Sequence, residues 1–510
     1  MAQQITLHLE VPESHQQTLQ RHLLLRKATQ RHTEQLTGIY YDTGRLALRH
    51  EGTILRLRKQ GTSWQQTVKM RDVSRGGLTL RPEWDSPYLG HFDFSSIDEV
   101  PLKHWLSRPK ILRNLAPKFE ANVRRITWRI ELASGGLVLA KLDRGWLASS
   151  GRRKSISELE LRLLSGTVHD LYSTASILAQ RLPLVPLLAS KVERGYDLFL
   201  DSKPAPVKAH TVALDAEGTP IAAFRLIALN CLAHMHMNHA GALVGEDPEY
   251  VHQMRVATRR LRAAMRMFKP LLPDDFIEDL TSSLRELMAA LGRARDFDVL
   301  MAEIVTPVAR ALPEDPRLAD IAGVITNRLY VARSDAARLL SRADYGRLQL
   351  NAGALLHGAP FIVPVGDHEE DAEAISLRKF ADSRLRRLLK KTLALAAQAH
   401  TDDPVSLHEL RIGIKRLRYA IEFFGPMIPG QGAARLVLRL ATLQDELGQL
   451  NDLASAGAVL MACAGNDPNL REAVALIGGW HSQRHAALLA AIPDQMSKLA
   501  KLKLPRLHKP

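Results

Sequence analysis

A basic, helix-forming segment occurs twice in this chain, and the repetition constrains the fold more than any other feature. The first copy, VHQMRVATRRLRAAMRMF, covers residues 251–268, and the second, LHELRIGIKRLRYAIEFF, covers residues 407–424. A fixed offset over a whole segment indicates a duplicated structural unit. An offset of 156 residues relates His252 to His408, Arg255 to Arg411, Arg259 to Lys415, Arg260 to Arg416, Arg262 to Arg418, and Phe268 to Phe424.

The spacing of the charged residues predicts one basic face on each copy. Steps of three, four and three residues bring side chains to the same side of a helix. One interpretation is an ordinary solvated face on the outside of a core helix. Two observations favour an anion site instead: residues 252–268 include no acidic residue, and like charges at these spacings destabilise a helix by about 0.2–0.5 kcal/mol per pair. The face comprises His252, Arg255, Arg259 and Arg262 in the first copy, and His408, Arg411, Lys415 and Arg418 in the second.

Net charge narrows the class of partner. The formal charge of +15 in a chain of 510 residues predicts an anionic partner, which could be nucleic acid, anionic lipid or a phosphate chain. Aromatic residues make up only 5%, which is few for a protein that stacks on single-stranded bases. No apolar run reaches the roughly 20 residues of a membrane span, and the two cysteines form no disulfide framework. We therefore expect no membrane partner and a reducing cytoplasm.

Residues 1–204 have the alternation of β-strands. Polar and apolar residues alternate from residue 5 to residue 11, and similar short runs recur between turn residues, which predicts a sheet that closes or nearly closes. Charged residues share faces within these runs, for example Arg56 with Arg58, and Glu158 with Glu160 and Arg162. Such a face could lie in water, or it could line the inside of a barrel as a tunnel of cations with a few carboxylates.

Seven motifs in this half, taken together and in order, resemble the CYTH or triphosphate-tunnel-metalloenzyme family. The resemblance implies an eight-stranded antiparallel tunnel in which basic side chains hold a triphosphate and carboxylates bind Mg²⁺ or Mn²⁺ for hydrolysis. The cations implied to hold phosphate are Arg56, Arg58, Lys69, Arg81, Arg125 and Lys191. The motifs are YYDT (40–43), LRLR (55–58), QTVK (66–69), GGLTLRPEW (76–84), LDRG (142–145), SELEL (157–161) and SKVERGY (190–196).

Several acidic positions of that family are changed here. The family's first strand carries Glu-x-Glu-x-Lys, where this chain has Gln4, Thr6 and His8. Leu139 stands where a glutamate is expected, and Arg162 replaces the third acid of a Glu-x-Glu-x-Glu strand, which leaves Glu158 and Glu160 as the implied metal ligands. Because a divalent ion needs several hard oxygen ligands, we expect a tunnel that holds phosphate but hydrolyses it poorly or not at all. A weaker metal site rebuilt from Glu158, Glu160 and Glu10 remains the alternative.

Residues beyond a Pro-containing linker at 205–214 have helical periodicity. We expect a first domain at 1–204 and a helical domain at 215–503, with repeats at about 215–362 and 372–500, each of about four helices. The two histidine motifs, with LGRARDFD (291–298) and LGQLNDL (447–453), resemble the CHAD family of all-helical domains. The fold class expected is thus α+β: an antiparallel β tunnel followed by two pseudo-symmetric four-helix bundles.

Resemblance to CHAD proteins implies that the helical half binds inorganic polyphosphate in a basic channel. Binding of this kind requires no cofactor, and Mg²⁺ or Mn²⁺ would matter only if the tunnel is active. Inorganic polyphosphate is the expected partner, tripolyphosphate a second, and nucleic acid a less favoured one; we expect the protein in the cytoplasm, on polyphosphate granules. The residues implied are His252, Arg255, Arg259, Arg260, Arg262, His408, Arg411, Lys415, Arg416 and Arg418, with Arg387 and Lys391 on a further helix.

Overall fold

The computed structural model describes residues 5–70, 83–357, 375–428 and 430–504, so Arg81 lies outside the described residues. The chain forms two compact units. The first comprises Met1–Ala205 together with Ser341–Ala359, and the second comprises Pro206–Leu340 and Pro360–Pro510. The units meet in the chain at residue 205, and the first unit also takes in Ser341–Ala359, a range within the helical domain expected from the sequence.

The first unit is built on one antiparallel sheet. In the described residues its strands are paired in the order β5-β4-β3-β2-β6-β7-β8-β1-β9. The antiparallel sheet expected from the sequence is confirmed, although it has nine strands here rather than eight. The strands are β1 Thr6–Glu10, β2 Gln30–Asp42, β3 Thr53–Gln60, β4 Ser63–Met70, β5 Glu83–Pro87, β6 Ala116–Glu131, β7 Leu137–Ser149, β8 Arg152–Ser165 and β9 Val185–Pro186.

Alternation along the long strands separates an apolar face from a charged one. On β8, Leu159 and Leu161 are fully buried in the core, and Glu158 and Glu160 therefore point to the opposite face. The pairing of neighbouring strands extends this charged face sideways, because Asp143 on β7 lies opposite both Glu158 on β8 and Arg125 on β6. The sheet thus collects the charged residues of three adjacent strands on one side.

Helices of the first unit are short and accompany the sheet. Two of them begin at capping boxes, at Thr167 and Ser190, whose hydroxyls accept from the backbone N–H three residues later. The second box fixes the start of the helix that carries Lys191 and Arg194. The helices are α1 Gln16–Gln20, α2 Leu23–Arg26, α3 Ala47–His50, α4 Val100–Leu106, α5 Pro109–Leu112, α6 Val168–Leu178 and α7 Lys191–Leu200.

The second unit is helical, as expected from the sequence. Leu300–Val305 is a π-helical turn that continues α11 into α12. The helices are α8 Pro220–Met237, α9 His239–Val244, α10 Pro248–Phe268, α11 Asp274–Val299, α12 Thr306–Ala311, α13 Pro316–Ser341, α14 Ala343–His357, α15 Leu377–Gln398, α16 Pro404–Phe424, α17 Gly432–Ala464 and α18 Pro468–Ala500. Among these, only α14 belongs to the first unit.

The two basic segments form α10 and α16, which begin in the same way. Asp247 and Asp403 each accept a hydrogen bond from the second backbone N–H of their helix, and proline follows each of them at the first helical position. Both helices are 21 residues long. The two segments therefore share the same cap and the same length at the 156-residue offset.

Helix α14 completes the core of the first unit. Leu350 is fully buried within the apolar cluster that contains Leu171, Tyr172 and Leu184. His357 stacks on Tyr172 with ring centroids 5.4 Å apart. Helical periodicity could not predict this assignment, because it does not distinguish α14 from the helices next to it in the chain.

The length and the apolar character of the helices bear on whether they could span a membrane. Across the described parts of the chain, none of the helices combines the length and the apolar character that a bilayer span requires.

Candidate functional site

The charged face of the first unit consists of ion pairs that surround four carboxylates. Arg125 on β6 donates two hydrogen bonds to Asp143, from Nε at 2.7 Å and from Nη2 at 2.8 Å. Lys191, at the start of α7, pairs with Asp143. Its Nζ also lies 2.5 Å from Oε1 of Glu158. Arg194, one turn further along α7, pairs with the second oxygen of Glu158. Two carboxylates are thus held by three cations.

A second cluster lies beside the first on the same face. Glu160 accepts from Lys141 Nζ at 2.9 Å and from Arg162 at 3.3 Å. The side chain of Glu160 is 14% exposed, so little of its surface is open to water. As in the first cluster, the carboxylate is paired with more than one cation, here Lys141 and Arg162 at the same oxygen.

The third cluster shows that the sheet curves strongly. Glu83 on β5 pairs with Lys69 at 2.7 Å and lies 3.9 Å from Arg56. The charge of Arg162 on β8 also lowers the pKa of Glu83, although these strands are separated by five others in the order of pairing. Electrostatic contact across that distance requires the charged face to be concave, as a tunnel wall would be.

Ionisation of the carboxylates follows from these contacts. Burial alone would raise the pKa of Asp143, but Lys191 and Arg125 lower it to about 2. Burial likewise opposes ionisation of Glu158 and Glu160, yet Lys191 and Arg194 lower the pKa of Glu158, and Lys141 lowers that of Glu160 well below its usual value. All three are therefore anions at neutral pH, each neutralised by neighbouring cations.

The residues present do not suit a divalent metal ion. Glu158 and Glu160, the metal ligands implied by the sequence, are each occupied by two positive side chains. In the described residues there is no group of three or more His, Cys, Asp or Glu side chains arranged to hold a metal. A guanidinium next to Glu160 also opposes a second cation at short range. We derive no metal-dependent step at this face.

Two partners of these carboxylates, Lys141 and Arg194, were not predicted from the sequence. Lys141 lies two residues before Asp143 on β7 and therefore shares its face, so a period-two search around Asp143 could have found it. Arg194 lies in the SKVERGY motif, three residues after Lys191, which is one helical turn. Of the predicted cations, Arg58 donates to Gln65 at 2.9 Å, and its pairing with a carboxylate is not seen in the described residues.

In the second unit, cations of both copies converge. We call Arg255 and Arg259 on α10, with Arg411 and Lys415 on α16, the cation row. Arg259 lowers the pKa of both Arg411 and Lys415, so the first copy lies within electrostatic reach of the second. Acidic residues of the two copies also lie near each other. Asp296 accepts a hydrogen bond from Arg255 at 3.4 Å. Burial raises the pKa of Asp296, and the charge of Asp452 raises it further.

The cation row is short of negative charge. Burial, then Arg411 and Arg259, lower the pKa of Lys415 to about 7. Burial also lowers the pKa of Arg255 and of Arg411. Among the described residues, the Nε atoms of Arg259 and Arg411 are buried without a hydrogen-bond partner. Half-buried, mutually repelling guanidinium groups with unused donors are what an anion site presents before its ligand arrives.

Two glycines make room for the arginines of the row. Gly292 on α11 and Gly448 on α17 keep the 156-residue offset. A Cβ at Gly292 would lie 2.7 Å from Nη1 of Arg255, and one at Gly448 would lie 3.8 Å from Nε of Arg411. Each guanidinium therefore passes close over the backbone of the neighbouring helix, and it does so more tightly in the first copy.

The predicted histidines lie in unequal surroundings. His408 is exposed, and its Nδ1 lies 2.8 Å from Oδ1 of Asn451. His252 is half-buried, and burial followed by the charge of Arg295 lowers its pKa. The charges of Arg259 and Arg255 also lower the pKa of His252, so His252 lies within electrostatic reach of the cation row, whereas Nδ1 of His408 lies beside an amide on α17.

Other predicted cations lie away from the cation row or at its margin. Arg260 is buried, with its guanidinium 5.4 Å from the ring centre of Phe423, so it packs in the core. Arg262 and Arg416 both lower the pKa of Arg266 and so form a neighbouring group. The charge of Arg418 makes a small contribution, after burial and the other nearby charges, to lowering the pKa of Lys415. Arg418 also pairs with Glu422 at 3.4 Å. The two cations predicted on α15, Arg387 and Lys391, are exposed.

Comparison with known proteins identifies both halves. The family model described as CYTH domain matches residues 3–196, and the one described as CHAD domain matches residues 226–461. The crystal structure of the CHAD domain from the plant Ricinus communis is 33% identical, with a TM-score of 0.52, and the match covers 60% of this chain and 100% of that chain. PptA from Streptomyces chartreusis is 17% identical, with a TM-score of 0.41, and the match covers 55% of this chain and 99% of that chain.

A curated relative matches over part of its length. It is the inorganic triphosphatase of Haemophilus influenzae, which is 27% identical over 161 residues. The match covers 32% of this chain and 45% of the relative, so the chain spans less than half the length of that protein.

Proposed function

Because this chain belongs to the CHAD family and carries a CYTH domain ahead of that region, we propose that it binds inorganic polyphosphate through the cation row. The observation that carries the proposal is the convergence of Arg259 with Arg411 and Lys415, which come from different copies. Polyphosphate has about one negative charge per phosphorus and no bases, so its recognition depends on charge and shape. Guanidinium groups can each offer two N–H donors to the oxygens of one phosphate.

The first unit contributes a second phosphate-binding site. Its charged face carries Lys69, Arg125 and Lys191 of the predicted phosphate-holding cations, together with Lys141 and Arg194. Its carboxylates are occupied by these cations, which is the reason for proposing that hydrolysis at this face is weak or absent. The chain is then a triphosphatase-like tunnel protein whose proposed role is holding phosphate chains.

A metal-dependent inorganic triphosphatase is the alternative, and two observations favour it. The relative from Haemophilus influenzae bears that name, and Asp143, Glu158 and Glu160 remain as anions on one face. Release of phosphate from tripolyphosphate, measured with Mg²⁺ and with Mn²⁺, separates the two. Turnover at roughly 1–10³ per second would establish the enzyme and contradict weak or absent hydrolysis.

The binding proposal is tested with long-chain polyphosphate. We expect saturable binding whose affinity falls steeply between two salt concentrations, because the interaction releases counterions. Duplex DNA at equal charge concentration serves as the competitor. If DNA displaces polyphosphate at equal charge, the protein is a general polyanion binder and the proposal for polyphosphate fails.

Localisation follows from the same proposal. A polyphosphate-binding protein is expected in the cytoplasm, at polyphosphate granules. Fluorescence microscopy of the tagged full chain, in cells with and without polyphosphate, measures this directly, and a diffuse signal in both would contradict it.

A further inference from the structure

We propose that the charged face of the first unit binds oligophosphate without a divalent ion, and that Arg162 is the residue that excludes the ion. The proposal rests on the proposed function, in that it takes this face to hold a phosphate chain. It adds the binding mode, namely fixed side-chain cations in place of a metal, and it names one specificity-determining residue. The argument is drawn from the ion pairs around Asp143, Glu158 and Glu160.

Asp143 and Glu158 are unavailable as metal ligands because cations already occupy their oxygens. Both oxygens of Asp143 accept from Arg125, at 2.7 and 2.8 Å, and one of them also pairs with Lys191. The oxygens of Glu158 are divided between Lys191 and Arg194. Each of the two carboxylate side chains is only 3% exposed. A divalent ion would have to displace buried ammonium and guanidinium groups and leave them unpaired, which is costly.

Glu160 is the carboxylate at which one substitution decides the outcome. Residues 158, 160 and 162 point to one face of β8, so a third carboxylate at position 162 would complete a row of three. The chain instead has Arg162, whose guanidinium lies 3.3 Å from Glu160 and whose charge also reaches Glu83 on β5. A positive group between two carboxylates removes a ligand and repels the ion at the same time.

The same groups leave a surplus of positive charge for a phosphate chain. The ion pairs that the structure describes on this face join seven cations to four carboxylates. The Nε atoms of Arg56, Arg162 and Arg194 are buried and find no hydrogen-bond partner in the part of the chain that the structure describes. An oligophosphate can therefore gain charge-assisted hydrogen bonds from donors that are in place before it binds. Metal bridging is unnecessary where the protein supplies the cations itself.

The first experiment measures Mn²⁺ binding by calorimetry on the full chain, without phosphate. The parent protein is expected to bind no Mn²⁺ at this face, and Arg162→Glu is expected to bind one ion, because it removes the guanidinium from Glu160 and adds a second carboxylate beside it. Arg162→Gln removes the guanidinium without adding a ligand, and its affinity should lie between the two. Lys154→Glu is the matched control, since Lys154 is exposed on the same strand and the change in charge is identical.

Thermal unfolding provides a second readout that does not depend on calorimetry. Three neighbouring carboxylates repel one another, so Arg162→Glu should lower the melting temperature, and Mn²⁺ should raise it again most in Arg162→Glu, less in Arg162→Gln and not in the parent protein. Tight Mn²⁺ binding by the parent protein, abolished by Glu158→Gln, would overturn the proposal. Failure of both Arg162 variants to gain affinity for Mn²⁺ would overturn it as well.

Tripolyphosphate binding distinguishes failure of this inference from failure of the proposed function. The measurements use the full chain with Arg255→Ala and Arg411→Ala, so that the cation row contributes little. With the tunnel otherwise unchanged, Mg²⁺ in place of EDTA should not tighten binding, whereas it should do so after Arg162→Glu. Tightening of about tenfold or more by Mg²⁺ with Arg162 intact would overturn the inference. If Arg125→Ala leaves tripolyphosphate affinity unchanged, the face does not hold phosphate, and the proposed function fails there while the Mn²⁺ result stands.

Discussion

Phe268 and Phe424 occupy the same position in the two copies, and their ring centroids are 6.1 Å apart. Phe268 also lies 5.5 Å from Phe224 and 5.0 Å from Phe380, which are themselves 156 residues apart. The duplicated helices are thus joined at their ends by their own equivalent residues. This contact brings α10 and α16 side by side, and so brings the arginines of both copies to one region.

Simultaneous replacement of Arg255 and Arg411 by alanine should weaken polyphosphate binding and flatten its dependence on salt. Each lost contact with a phosphate lowers the slope of log affinity against log salt by up to about 1. Binding isotherms at two salt concentrations measure both effects, and circular dichroism checks that helicity is unchanged.

A matched control for this pair is Arg310→Ala with Arg435→Ala, which removes the same charge from exposed positions on α12 and α17. If the control weakens binding as much as the test pair does, net charge rather than the cation row is responsible.

Affinity for polyphosphate should fall as pH rises above 7, because Lys415 loses its proton there. Burial, Arg411 and Arg259 lower its pKa from 10.5 to about 7 in the unliganded protein, against Asp452 on α17, which raises it. An anion favours the protonated form, so binding takes up one proton and affinity changes by up to about tenfold per pH unit. Lys415→Arg should bind more tightly at pH 9 and show a flatter profile.

The same pKa fixes the direction of a change in stability. The unfolded chain holds more protons at Lys415 than the folded chain does between pH 7 and about pH 10, so this group's contribution makes the free energy of unfolding rise with pH in that window. Denaturant titrations of the parent and Lys415→Arg, compared at pH 7 and pH 9, isolate it. An identical pH dependence in both proteins would contradict the shift.

Substitution of Gly292 by alanine should weaken polyphosphate binding without destabilising the protein. The new Cβ would lie 2.7 Å from Nη1 of Arg255, and the flexible guanidinium would have to move. Alanine in a helix is otherwise favoured over glycine by about 1 kcal/mol. Gly448→Ala is the natural control, because its Cβ would meet Arg411 at an ordinary contact distance of 3.8 Å. Equal affinities for the two variants would show that the position of Arg255 does not matter.

Removal of the Leu350 side chain should destabilise the first unit, although Leu350 lies among residues whose sequence belongs with the helical half. The side chain is fully buried in the core beneath the sheet, and Leu→Ala at such sites costs about 2–5 kcal/mol. Hydrogen exchange of the full-length variant should increase in α6 and β9 and remain unchanged in α10. Asn351→Ala, at an exposed position of the same helix, removes only a surface hydrogen bond from Ser176 on α6 and should have a much smaller effect.

Much of the candidate site could be predicted from residue types and spacing. The offset of 156 residues and the three- and four-residue steps identified Arg255, Arg259, Arg411 and Lys415, because a helix turns a fixed spacing into a fixed face. The strand alternation likewise put Glu158, Glu160 and Arg162 on one face of β8. The resemblance to CHAD proteins implied that Arg260 also binds polyphosphate. Because Arg260 directly follows Arg259 on the helix, its side chain points to a different side, and it is buried against Phe423.

What the sequence determined by itself is periodic and local: the 156-residue offset between the two basic segments and the face on which each charge lies. Tertiary structure alone decided which charges meet. Arg162 reaches Glu83 only because the sheet curves, and α14 joins the first unit only because Leu350 finds its place in that core. Contacts between distant segments depend on which buried surfaces fit together, and no spacing along the chain encodes that fit.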